Sequence, residues 1–97
     1  MGTHCIITRE KNPNLGIYIH YDGDDREMVQ AIVDIAKKNN ARNVNHDEEY
    51  GIARLACACQ EYFQNQETGF GVCLPQHAGY DYHWVIDDDW KVHEAKD

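Results

Sequence analysis

Apolar and polar positions change rhythm five times along the chain, and each change marks a predicted element. Thr3 to Arg9 places Cys5, Ile6, Ile7 and Thr8 in series, a β-favouring run, and Lys11-Asn12-Pro13-Asn14 follows with turn chemistry. From Gly16 the chain alternates: Ile17, Ile19 and Tyr21 fall on one side of a strand, Tyr18 and His20 on the other. These two strands read as an antiparallel hairpin. After Asp22-Gly23 the period lengthens. Met28, Val29, Ile32, Val33, Ile35 and Ala36 form a helical stripe, with Asp24 placed to cap it, Glu27 at the third helical position, and Lys37 and Lys38 in the last turn. A second helix is predicted from Asn45 or Asp47, with Ile52, Leu55, Ala56, Cys59, Tyr62 and Phe63 as its buried side.

Beyond Gly69 the alternation returns. Phe70 to Leu74 is a short strand stopped by Pro75. Tyr80, Tyr82, Trp84 and Ile86 alternate with Asp81, His83, Val85 and Asp87 in a longer one, and Trp90 to Ala95 closes a second hairpin around Asp87-Asp88-Asp89. The predicted order is ββααβββ: one α+β domain over residues 1–97, with a mainly antiparallel sheet and both helices on one face. Strand order is not readable from this pattern.

Charge narrows the function. Seventeen acidic against nine basic side chains give a net charge of −8, which disfavours direct binding to nucleic-acid phosphates and favours cations or basic protein surfaces. No apolar run approaches the length of a membrane span. The start Met1-Gly2-Thr3-His4-Cys5 runs into a strand with no secretory core, so reduced cysteines in a host cytoplasm are expected. Ile6 stands where a myristoylation motif needs Ser or Thr.

Four of the six histidines fall in predicted strands, and His20 and His83 are expected to share the open sheet face with Tyr18. With Asp22 they are the weak candidates for a metal, in the absence of any local ligand pair such as His-x-x-x-His. Cys57 and Cys59, two apart on a helix, diverge and cannot chelate together, whereas Cys5 and Cys73 could meet. Strand alternation separates His4 from Cys5, and Pro75 interrupts Cys73 and His77, so no catalytic residue and no cofactor are assigned. Capping explains carboxylates at helix starts, Asp24 and Asp25 included. Three like charges at Asp87, Asp88 and Asp89 repel one another in a turn that only solvent relieves, and they become the first candidates for partner contact. Trp90 and Tyr18 join them as aromatic hot-spot residues. Aromatic rings on the open face would equally suit a second copy of the chain.

The segments Met1 to Ile7, Tyr18-Ile19-His20-Tyr21-Asp22-Gly23, Tyr82 to Ile86 and Trp90-Lys91-Val92 resemble a family of small phage and prophage proteins that begin Met-Ser/Gly-Thr-Arg and carry His-x-Asp-Gly-Tyr-Pro. The chain departs from that pattern with His4 in place of Arg, with Asp24-Asp25 in place of Tyr-Pro, and with a shorter middle. No activity is assigned to the family, so no catalytic role carries over. The resemblance implies a mobile-element origin. Small acidic phage proteins are often inhibitors of host defence, anti-CRISPR proteins among them. The leading expectation is a non-enzymatic binding protein that engages a host nucleic-acid-handling complex without touching nucleic acid or membrane. A metal-dependent protein or enzyme at the His20/Asp22 corner, and an accessory phage structural component, are the alternatives.

Overall fold

The computed structural model describes residues 3–10, 12–20, 22–38, 48–64, 69–74, 79–87 and 89–95. Strands β1 (Cys5–Arg9) and β2 (Asn12–Ile19) precede helices α1 (Arg26–Lys38) and α2 (Glu48–Tyr62), and β3 (Phe70–Cys73), β4 (Tyr82–Ile86) and β5 (Val92–Glu94) follow. The five strands form one mixed sheet in the order β3-β2-β1-β4-β5. Three of the four pairings are antiparallel, and the exception is central: β1 runs parallel to β4, with Cys5 opposite Tyr82 and Arg9 opposite Ile86. The domain is α+β, with the expected element order.

One side of the sheet carries the core. Cys5, Ile7, Ile17, Ile19, Trp84, Ile86 and Val92 pack with Met28, Val29, Ile32, Val33 and Ala36 of α1 and with Ile52, Leu55, Ala58 and Cys59 of α2. Burying these side chains is the main stabilisation of both helices, since helices of this length are marginal alone. At the end of α2, Tyr62 is 38% exposed and not buried as its spacing predicted. Phe63, one residue past the helix, takes over and stacks on Phe70 of β3 at 6.1 Å.

The link from β1 to β2 is tighter than its turn residues suggested. β2 begins at Asn12, opposite Arg9, and the register shifts between Thr8 and Arg9 to accommodate the residues up to Gly16. β3 pairs only with Gly16 to Ile19, so the first half of β2 is itself a sheet edge, where Pro13 withdraws no ladder donor. Arg9 is the feature that sequence pattern missed: it is 2% exposed, with its guanidinium 5.2 Å from the centre of the Trp90 ring.

The strand-to-helix corner after β2 is held by close approach. A Cβ on Gly23 would lie 2.5 Å from the His4 carbonyl carbon and 2.6 Å from the Cys5 nitrogen. Gly23 is therefore required by contact with β1 and not by its φ, which is negative; the left-handed residue of this turn is Asp22, at φ 59°. The Gly23 amide donates to the Thr3 carbonyl at 2.7 Å, and the buried Trp84 indole donates to the Gly23 carbonyl at 2.7 Å. The cap is Asp25, not Asp24: its carboxylate accepts from the Met28 amide at 3.1 Å, which puts Glu27 one position too early for a capping box.

Replacing Gly23 with Ala forces the corner off β1. The expected loss is about 3 kcal/mol in denaturant unfolding. A companion Gly71→Ala, whose Cβ would meet nothing within 4 Å, should leave the midpoint nearly unchanged.

Candidate functional site

Two surfaces gather the residues that carry chemistry. The first is the sheet face away from the helices, onto which β1 turns His4, Ile6 and Thr8, β2 turns Tyr18, and β4 turns His83. It is not an open polar surface. Ile6 is fully buried there, flanked in register by Tyr18 and His83. The rings fall into two groups, His4, Tyr18 and His20 on one side of it and His83 with Tyr80 on the other. His4 Nδ1 donates to the His20 carbonyl at 2.8 Å, since a carbonyl can only accept, and the His4 and His20 ring centres lie 4.2 Å apart. The Tyr18 hydroxyl and His20 Nδ1 are bonded at 2.9 Å, the Thr8 hydroxyl and His83 Nε2 at 2.8 Å, and Tyr80 meets His83 edge-on. Burial, with the negative charge of Asp81 behind it, pushes the Tyr18 hydroxyl up, so it keeps its proton.

His20 and His83 thus share one face as their strand positions predicted, on either side of β1. With Asp22, however, they do not form a ligand set: among the described residues no three of His, Cys, Asp and Glu stand close enough to hold a metal ion. The imidazoles are engaged in ring packing and hydrogen bonds. A groove of about 480 Å³ opens beside the first of these groups, lined by Tyr18, His20, Phe70, Gly71, Val72 and Cys73 among others.

The second surface is acidic and lies at the opposite end of the sheet. Sequence spacing gave no sign that α1 packs against the β4–β5 turn. The structure brings α1 against β5: the Arg26 guanidinium donates to the Val92 carbonyl at 2.7 Å. Gln30 then ties helix to turn, its amide nitrogen donating to the Trp90 carbonyl and to Asp34, each at 3.0 Å, and its oxygen accepting from the Val92 amide. Exposed Asp34, bonded to Gln30, is the α1 carboxylate carried to this turn, where Asp89 is also exposed; Glu27 lies about two turns earlier on the helix, and Asp24 and Asp25 precede it.

Within the turn, Asp87 is not left to solvent. Its Oδ1 accepts from the amides of Asp89 and Lys91, at 2.9 Å each, and its Oδ2 accepts from His93 Nε2 at 2.6 Å. Partial burial pushes its carboxyl up, but the bonds from Lys91, His93 and Asp89 outweigh this and hold it below its ordinary 3.8. The repulsion expected among three free carboxylates is relieved at Asp87 by these donors. Asp88 lies outside the described residues. Trp90 adopts φ 63° and is 8% exposed, its ring in the core cluster, so it shapes the turn from beneath and offers little surface to a partner. Tyr18 belongs to the other surface, with β1 and β4 between it and β5.

The four cysteines are free. Cys5 faces the helices and Cys73 the opposite side, with β2 between their strands, so the two do not meet. Burial pushes the Cys5 and Cys59 thiols up to about 12. Cys57 is exposed, one face away from buried Cys59, as the helical spacing predicted.

No helix among the described residues is long and apolar enough to cross a membrane. Compared with protein-family models, curated proteins and solved structures, the chain matches none.

Two measurements follow from this geometry. In native protein Cys57 should react with a thiol reagent first and Cys73 more slowly, whereas Cys5 and Cys59 should react only on unfolding; mass spectrometry of quenched samples reads this. A carboxyl held below 3.8 contributes stability that is present above that pH and is lost as pH falls through its lowered folded value. Asp87→Asn should therefore unfold at lower denaturant than the parent at pH 7, and the gap should close below about pH 3.8.

Proposed function

We propose that the protein is a non-enzymatic binding protein of phage type, and that its acidic edge engages the basic, nucleic-acid-holding surface of a host defence complex. The observation that carries this reading is the Gln30 bridge. It fixes helix α1, with its exposed Glu27 and Asp34, against the β4–β5 turn that carries exposed Asp89, joining residues 60 apart in sequence. Charges on a rigid edge attract a basic surface at long range and lose little entropy on contact. Exposed carboxylates presented this way can stand in for phosphate groups, which is the chemistry by which an acidic protein occupies a channel built for nucleic acid. The chain's net charge of −8 has the same sign throughout that approach.

Asp25 and Asp87 are excluded from the test because they hold the helix cap and the turn. Asp24→Lys, Glu27→Lys and Asp89→Lys change exposed charge without touching either. Capture from bacterial host lysate by the parent chain should recover a nucleic-acid-binding complex that added duplex DNA displaces. The triple variant should bind it at least about tenfold more weakly, through lost steering and lost ion pairs. Equal recovery by parent and triple variant, indifferent to DNA, would rule out the acidic edge as the contact.

A further inference from the structure

The two edges of the sheet are unlike. Edge strands expose backbone donors and acceptors that can pair with another strand, and proteins usually guard them with charge. β5 is guarded: it is three residues long, follows Lys91, and ends in His93 and Glu94. β3, the other edge, reads Phe70-Gly71-Val72-Cys73 and is followed by Leu74, with no charged residue in the stretch. Val72 is 53% exposed and Leu74 45%. Val72 is paired with Ile17 and so stands on the helix side, where it remains half exposed.

We propose that β3 pairs antiparallel with β3 of a second copy of this chain, about a two-fold axis at Val72, joining two five-stranded sheets edge to edge. Self-complementarity selects this occupant. An axis normal to the sheet keeps both helical layers on one side and opposes Val72 to Val72, Phe70 to Leu74, and Gly71 to Cys73. Apolar positions then meet on the helix side, and small ones meet on the other, where a Cβ at Gly71 finds nothing within 4 Å. Moving the axis to Gly71 would leave Leu74 outside the pair. Charge argues for the same partner: copies with a net charge of −8 repel wherever carboxylates face each other, and this strip holds none. The two grooves beside Tyr18 come together across the axis, and the acidic edges at β5 are carried to the far ends. The pairing is independent of the acidic-edge reading, because β3 and β5 are opposite ends of the sheet.

Light scattering after size exclusion, over a dilution series, should give twice the 11.2 kDa chain mass at the concentrated end. Val72→Lys should run at the single-chain mass with unchanged circular dichroism. Register is read by oxidation in a Cys57→Ser, Cys73→Ser background. Directly opposed side chains fall within disulfide reach, so Val72→Cys should cross-link to a covalent dimer and Leu74→Cys should not. A parent chain that stays at 11.2 kDa at every concentration overturns the proposal, whether or not another protein uses the edge. Equal cross-linking at both positions overturns the register.

Discussion

With a Cβ on residue 23 only 2.5 Å from the His4 carbonyl carbon, the chain has one solution at that position, and it is glycine. That approach sets the geometry of everything after it. It seats the corner on the start of β1, where the Thr3 carbonyl accepts from the Gly23 amide and the Trp84 indole donates to the Gly23 carbonyl. The corner in turn aims α1 across the sheet towards β5, with Asp25 capping its first turn. Arg26 and Gln30 can reach Val92 and Trp90 only because the helix starts there. One contact between backbones thus positions the helix, the helix positions the β4–β5 turn, and the turn carries the acidic edge.

Much of this was visible in the sequence where the period is strong. The α1 stripe from Met28 to Ala36 and the alternation of Ile17 and Ile19 against Tyr18 are burial patterns that a single chain states directly. What escaped depends on distant partners. The parallel pairing of β1 with β4 has no local signature, since it joins residues more than 70 positions apart. Buried Arg9 looks like any polar strand end until Trp90 is placed beneath it. Residue type marks Asp22-Gly23 as a turn, but the close approach to β1 that demands glycine at 23 depends on a strand about 20 residues earlier. At the candidate site, the individual carboxylates were legible, and the Gln30 bonds that tie α1 to the β4–β5 turn were not.

The histidines show how the same residue types read differently once placed. In sequence they suggest ligands. In the structure His4, His20 and His83 spend nitrogens on a carbonyl and two hydroxyls, on the sheet face where Ile6 is fully buried between Tyr18 and His83. Imidazole and phenol suit that position because each has an apolar body and a polar rim. Asp87 is a parallel case. It looks like surface charge, and it acts as the organiser of a turn whose neighbours Asp89 and Lys91 it binds through their amides.

The parallel β1–β4 pair also bears on how the chain comes to be folded. β1 is the middle strand and every residue from Cys5 to Arg9 is buried, yet its second neighbour consists of residues 82–86. During synthesis β1 and β2 can pair early, leaving the other long edge of β1 bare until nearly the whole chain exists. Contacts of such sequence separation close slowly, and an apolar strand edge waiting for its partner is prone to find another. Chains that end before β4 therefore retain an unsatisfied centre. Residues 82–86, by pairing with β1, close that edge last.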